Sequence, residues 1–257
     1  MQQRASGASV DGVAAATVVA SARLWRGYGA RYGGVKRMKI VSRRFALLLC
    51  ALSPALMMTG CPDALYCNNG VCHGYYYDSL VSGLNYESRS EDGVTHTGVT
   101  GEDDDPGRFS YAEGDTVSFS LGDISLGQSV AKDRVTPFDL AGLEEEAIGG
   151  CEVDGVLPDD TDAFRRVVNL AVLLQTLDTD GEHTAGIEIR SEVAALFEGS
   201  TVELDQPRTT FQADAKLRAV LEEANSLDLF SETRTLVQPE DALRALYLGL
   251  GLCPSGS

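Results

Sequence analysis

Two carboxylates one residue apart in a glycine turn, Asp178-Thr179-Asp180-Gly181, are the side chains of this sequence best suited by type and spacing to hold a hard cation. Calcium takes six to eight oxygen ligands, and such a turn could supply the first of them. An EF-hand register fails, however. With Gly181 at loop position 6, Thr176 falls at position 1 and Ile187 at position 12, where a bidentate acid is required. With Asp178 at position 1, His183 takes the glycine position and Ile189 takes position 12. A calcium ion would therefore need Glu182, Glu188 or backbone carbonyls in another geometry, and the plain alternative is a polar turn that ends a helix. Glu102, Asp103, Asp104 and Asp105 pose the same choice between a cation-gathering loop and a solvated one. These patterns require no cofactor; calcium is the candidate.

Other chemistry is weakly marked. His73, His96 and His183 are scattered, which argues against a multi-histidine metal site. There is no Gly-x-Ser-x-Gly elbow, no phosphate-binding Gly-x₄-Gly-Lys-Ser/Thr loop and no His-Glu-x-x-His. Tyr75, Tyr76 and Tyr77 read either as an aromatic platform for a glycan or protein partner or as anchors of a first strand on its core. Charge excludes one class of partner. The 257 residues carry 21 basic and 38 acidic side chains, 21 − 38 = −17, and nine of the basic ones lie in residues 1–60 beside a single acid, Asp11. Residues 61–257 thus hold 12 − 37 = −25, a body that repels phosphates and argues against nucleic acid.

The first sixty residues read as an address. A basic head, Met38-Lys39-Ile40-Val41-Ser42-Arg43-Arg44, is followed by an apolar run from Phe45 to Met58 and then Thr59-Gly60-Cys61. That order is the order of a signal peptide, and no apolar run reaches the ~18 residues of a membrane span. Met58-Thr59-Gly60-Cys61 resembles the bacterial lipoprotein lipobox, with Met in place of the usual Leu. The resemblance implies that Cys61 becomes the acylated mature N-terminus, carrying palmitate-type chains that hold the protein to a membrane. Met38 is then the expected initiator, and residues 1–37 an upstream extension.

Of six cysteines, Cys50 would leave with the signal peptide and Cys61 would carry lipid, so Cys67, Cys72, Cys151 and Cys253 remain. An even remainder in an exported, oxidising compartment predicts disulfides, with three connectivities open. Cys67 and Cys72 enclose an Asn-Gly turn, which favours a local loop, and Cys151 would then meet Cys253 by elimination. The rival zinc reading lacks a second nearby pair.

The elements that would position these groups change character near residue 150. Val117, Phe119 and Leu121 alternate with Thr116, Ser118 and Ser120; Phe109 with Tyr111, and Leu80-Val81 with Leu84, mark further strands. Beyond Gly150 the period becomes helical. Phe164, Val167, Val168, Ala171, Leu174 and Leu177 recur every three or four residues after an Asp159-Asp160-Thr161-Asp162 cluster suited to N-capping. Ser191 is a candidate cap for a short helix, Thr209 with Gln212 a capping box ahead of Leu217, and Pro239 opens a last helix. The expected fold class is α+β, a small antiparallel β-sandwich followed by a compact α-helical section. Its expected boundaries are 1–37 extension, 38–60 signal peptide, 61–75 tether, 76–145 sandwich and 146–257 helical section.

Five stretches across roughly residues 80–190 carry a wider resemblance: Ser82-Gly83-Leu84-Asn85-Tyr86, the run from Gly107 through Phe109, Tyr111, Val117 and Phe119 to Asp123, Leu126-Gly127, the run from Ala131 through Pro137 to Leu140, and the run from Asn169 through Leu173-Leu174-Gln175-Thr176-Leu177 to Asp178-Thr179-Asp180-Gly181. They look like a module of exported Gram-negative lipoproteins, the first half similar to carboxypeptidase-regulatory-like and Cna-B-like sandwiches. The family has no established activity. What it implies is a location, the bacterial cell envelope, periplasmic or cell-surface. The expected function is a non-enzymatic structural or binding module, anchored to the lipid membrane through Cys61, with a protein or glycan partner; the alternative is an exported hydrolase with an acidic cleft.

Overall fold

The computed structural model describes residues 67–253, so the expected extension, signal peptide and lipidated Cys61 lie outside the described residues. The fold is α+β, and its sandwich starts from alternation. In strand β7 (Thr116–Leu121), Val117, Phe119 and Leu121 are buried while Thr116 is exposed. It pairs antiparallel with β4 (Asn85–Arg89) on one edge and β8 (Ile124–Val130) on the other, and β5 (Thr95–Val99) completes a sheet ordered β5-β4-β7-β8. The facing sheet is built on β2 (Val71–Tyr76). One of its edges takes β6 (Arg108–Tyr111) antiparallel; the other takes β1 (Cys67–Asn68) antiparallel and then β9 (Arg134–Val135) parallel. Aromatic edges join the two sheets, with Tyr76 and Phe109 meeting Phe119 at ring-centroid distances of 4.9 and 5.3 Å.

The described sheet structure begins earlier than the expected boundary at residue 76. Asn69 and Gly70 both adopt positive φ, 54° and 84°, the turn that closes a two-residue hairpin, and the Cys67–Cys72 disulfide staples its ends. Residues assigned to a tether are therefore strand. Beside the two antiparallel-built sheets, β10 (Ile187–Glu188), far along the chain, pairs parallel with β3 (Val81–Ser82) in a two-stranded sheet of its own. Gly83 makes the join feasible. Its φ is +93°, and a Cβ there would run into the carbonyl of Ile189.

Helix α1 (Pro137–Ala141) opens with a reciprocal capping box between Thr136 and Asp139. Helix α2 (Asp162–Thr176), capped by Thr161, buries nearly every residue from Val167 onward, and α6 (Pro239–Gly249) packs along it after Pro239. Two other cap assignments are corrected. Ser191 is the first residue of α3 (Ser191–Ala195) and gives no cap, while Thr209 and Gln212 lie inside α4 (Arg208–Gln212). The cap of α5 (Ala215–Ser226) is Asp214, whose Oδ1 accepts from the amides of Lys216 and Leu217 at 2.9 and 3.0 Å, a charged acceptor one residue ahead of the helix. Buried side chains from strands and helices form one contiguous core.

Candidate functional site

The two acidic features of the sequence converge on one cleft of about 380 Å³, lined by Asp104 from the 102–105 loop, Asp178 and Asp180 from the turn after α2, and Glu188 from β10. The members differ sharply. Asp180 and Glu188 are exposed, whereas Asp178 is 1% exposed, because α2 runs into the core and carries the residue after Leu177 inside with it. Asp178 Oδ1 accepts the Glu188 amide at 3.0 Å, and its Oδ2 is buried with no partner. Burial pushes this carboxyl up; the Glu188 amide opposes the shift, the neighbouring Asp180 adds to it, and the charges of His183 and Arg234 oppose it. Asp180 Oδ1 takes the Glu182 amide at 2.8 Å. Arg234 lies directly against Gly181, whose φ of +77° and missing Cβ leave the room for its guanidinium. Among the described residues no group of three or more His, Cys, Asp or Glu side chains is arranged to hold a metal ion.

The acidic loop is partly neutralised from within. Arg108 pairs with Asp103 and with Asp105, and Asp105 also accepts from the Tyr75 hydroxyl at 3.1 Å. The three tyrosines divide between the two expected roles. Tyr76 is fully buried in the core, whereas Tyr75 and Tyr77 point to the other face of β2 and, with His73, Asp133 and Arg134, line a hollow of about 310 Å³. The Arg134 guanidinium lies 5.9 Å from the Tyr77 ring centroid. His96 is half-buried on β5, and His183 Nδ1 is buried without a partner. Cys67 is bonded to Cys72 and Cys151 to Cys253, with Cα atoms 3.9 and 5.0 Å apart.

One polar constellation escaped the sequence. Asp78 is 1% exposed, and its carboxyl is pushed up to about 7 by burial even though Gln175 hydrogen-bonds it. Gln175 Nε2 also reaches the carbonyl of Ala242 in α6 at 3.0 Å, while its Oε1 and the Tyr76 hydroxyl have no partner. The signal was a lone amide in the otherwise apolar run Leu170-Ala171-Val172-Leu173-Leu174-Gln175. No family model, curated protein or solved structure matches this chain.

Proposed function

We propose that the protein is a lipid-anchored, non-enzymatic binding module of the bacterial cell envelope, of the exported Gram-negative lipoprotein kind, held to the membrane through Cys61. The observation that carries the reading is the cysteine pairing: the four cysteines that lipoprotein processing would leave are the four bonded to each other, the chemistry of an oxidising compartment. Among the described residues no helix is long and apolar enough to cross a membrane, so attachment would fall to the lipid. Only five residues separate Cys61 from Cys67, which would hold the β1–β2 hairpin close to the membrane surface. The outward face of β2, with Tyr75, Tyr77 and Arg134, is the surface we assign to a protein or glycan partner. Radiolabelled palmitate should enter the wild-type chain and not Cys61→Ser, which should accumulate unprocessed; equal labelling of both would overturn the anchor.

A second reading, an exported hydrolase, draws on the acidic cleft, where Asp178 has a raised carboxyl and a free oxygen close to exposed acids. Hydrolysis of aryl glycosides or esters by the purified chain, abolished in Asp178→Asn with the fold intact, would favour it over the module. No turnover would leave the module.

A further inference from the structure

A second cavity, of about 420 Å³, lies away from the acidic cleft, where α1, α2 and α6 meet the segment leading to the Cys151–Cys253 disulfide. Its volume falls in the range of small-molecule sites. The floor is aromatic. Phe138 and Tyr247 meet edge to face at 5.7 Å, Phe164 stands beside them, and all three are at most 6% exposed. The rim is acidic, with Glu144, Glu146 and Asp159 its only charged lining residues. Glu144 and Glu146 form no ion pair or hydrogen bond among the described residues, and Asp159 gives one oxygen to the Thr161 amide at 2.9 Å.

Tyr247 lines this cavity with its ring buried, 3% exposed overall, and its hydroxyl, which bonds no other described residue, is open to solvent and free to take a ligand in place of water. The walls are preformed, since the amide of Ile148 donates to the carbonyl of Leu252 at 2.9 Å and the disulfide fastens the next turn to the end of α6.

We infer that this cavity binds a small protonated amine with an apolar, preferably aromatic, body. The aromatic floor takes the body and offers its ring faces to the cation, the two unpaired glutamates balance the charge, and the phenol oxygen accepts an ammonium N–H. Burial and the charge of Glu146 both raise the Tyr247 hydroxyl, which places that carboxylate within electrostatic reach of it and keeps the phenol neutral. The same rim works against ligands that carry an anion next to the amine. A zwitterionic amino acid or a phospholipid headgroup would bring its carboxylate or phosphate against three acids with no cation in the lining to receive it. The cavity shares no lining residue with the β2 face and does not include Cys61, so it stands or falls independently of the proposed module.

Calorimetric titration of the full chain with 2-phenylethylammonium, 2-phenylethanol and phenylalanine tests this. The amine should bind saturably, and the neutral alcohol and the zwitterion should each bind at least about tenfold more weakly. The exposed pair Glu144→Gln/Glu146→Gln should weaken the amine by roughly tenfold and leave the alcohol unchanged. Tyr247→Phe, which keeps the ring, should weaken it less and in the same direction. Equal binding of amine and alcohol, an unaffected glutamine variant of unchanged thermal midpoint, or no saturation by on the order of 10 mM amine would each overturn the inference.

Discussion

Gln175, in the last turn of α2, donates through one nitrogen to both carboxylate oxygens of Asp78, 97 residues earlier in the chain, at 3.0 and 3.3 Å. The contact lies wholly inside the core and ties the end of β2 to the helix that organises the second half of the chain. A buried carboxyl held by a single amide is costly to ionise, and that cost sets how stability responds to pH.

Asp78 fixes the sign of that response. Its carboxyl titrates near 7 in the folded chain, against an ordinary value near 4 when unfolded. Between those values the folded state keeps a proton that the unfolded state has lost, so this contribution is fully present below about pH 4 and is lost as pH rises through about 7. Asp78→Asn keeps an acceptor for Gln175 and removes the titration. Relative to wild type, its unfolding free energy in urea should gain on the order of 4 kcal/mol between about pH 4 and pH 8. Parallel pH profiles would show that Asp78 stays hydrated.

The two disulfides should differ in weight. Cys151 and Cys253 close a loop of sequence separation 102, Cys67 and Cys72 one of 5. By loop-closure entropy, Cys151→Ser/Cys253→Ser should cost on the order of 4 kcal/mol and Cys67→Ser/Cys72→Ser about 2. Denaturant titration of the two double variants checks the order, and a reversed order would mean that native-state strain or residual unfolded structure outweighs loop length.

Calcium should act weakly at Asp178 and Asp180. An unpartnered Asp178 oxygen invites a cation, while Arg234 against Gly181 already relieves the negative charge of the turn. Half-saturation would contribute ~0.4 kcal/mol, a rise of about 1 °C in thermal midpoint, lost in Asp178→Asn/Asp180→Asn. A much larger shift would mean that the 102–105 loop closes on the turn and adds Asp104 as a ligand.

Asp214→Ala should lower stability by about 1 kcal/mol through loss of the α5 cap, with Thr209→Ala close to neutral. Chemical denaturation of the two variants separates the assignments; the opposite ranking would restore Thr209 as the cap.

Legibility followed the range over which each signal acts. Val117, Phe119 and Leu121 announce a strand, and the spacing from Phe164 to Leu177 announces a helix, because each pattern needs only its own neighbours. Cys67 and Cys72 paired through a local turn, and the second pair followed by elimination. Strand β10 has only two residues, too few to show a period. Burial of Asp78 was hidden for another reason: an acid after three tyrosines reads as the end of a strand, and only the arrival of α2 shuts it from water. The cavity under Glu146 needs Tyr247, 247 − 146 = 101 residues later, and no local spacing encodes that approach.

The parallel pairing of β10 with β3 also sets a timetable. Synthesis runs from the N-terminus, so Val81 emerges 187 − 81 = 106 residues before its partner Ile187. Over that interval the β3 backbone has no strand on the side β10 will occupy, and the α2 helix that covers Asp78 is itself still being made. Pairings of such long sequence separation form late and leave edges open while they wait. A nascent chain stopped before residue 187 would carry its β5-β4-β7-β8 sheet in full, yet with a raw edge at Val81–Ser82, short enough at two residues to be a poor template for pairing with another chain.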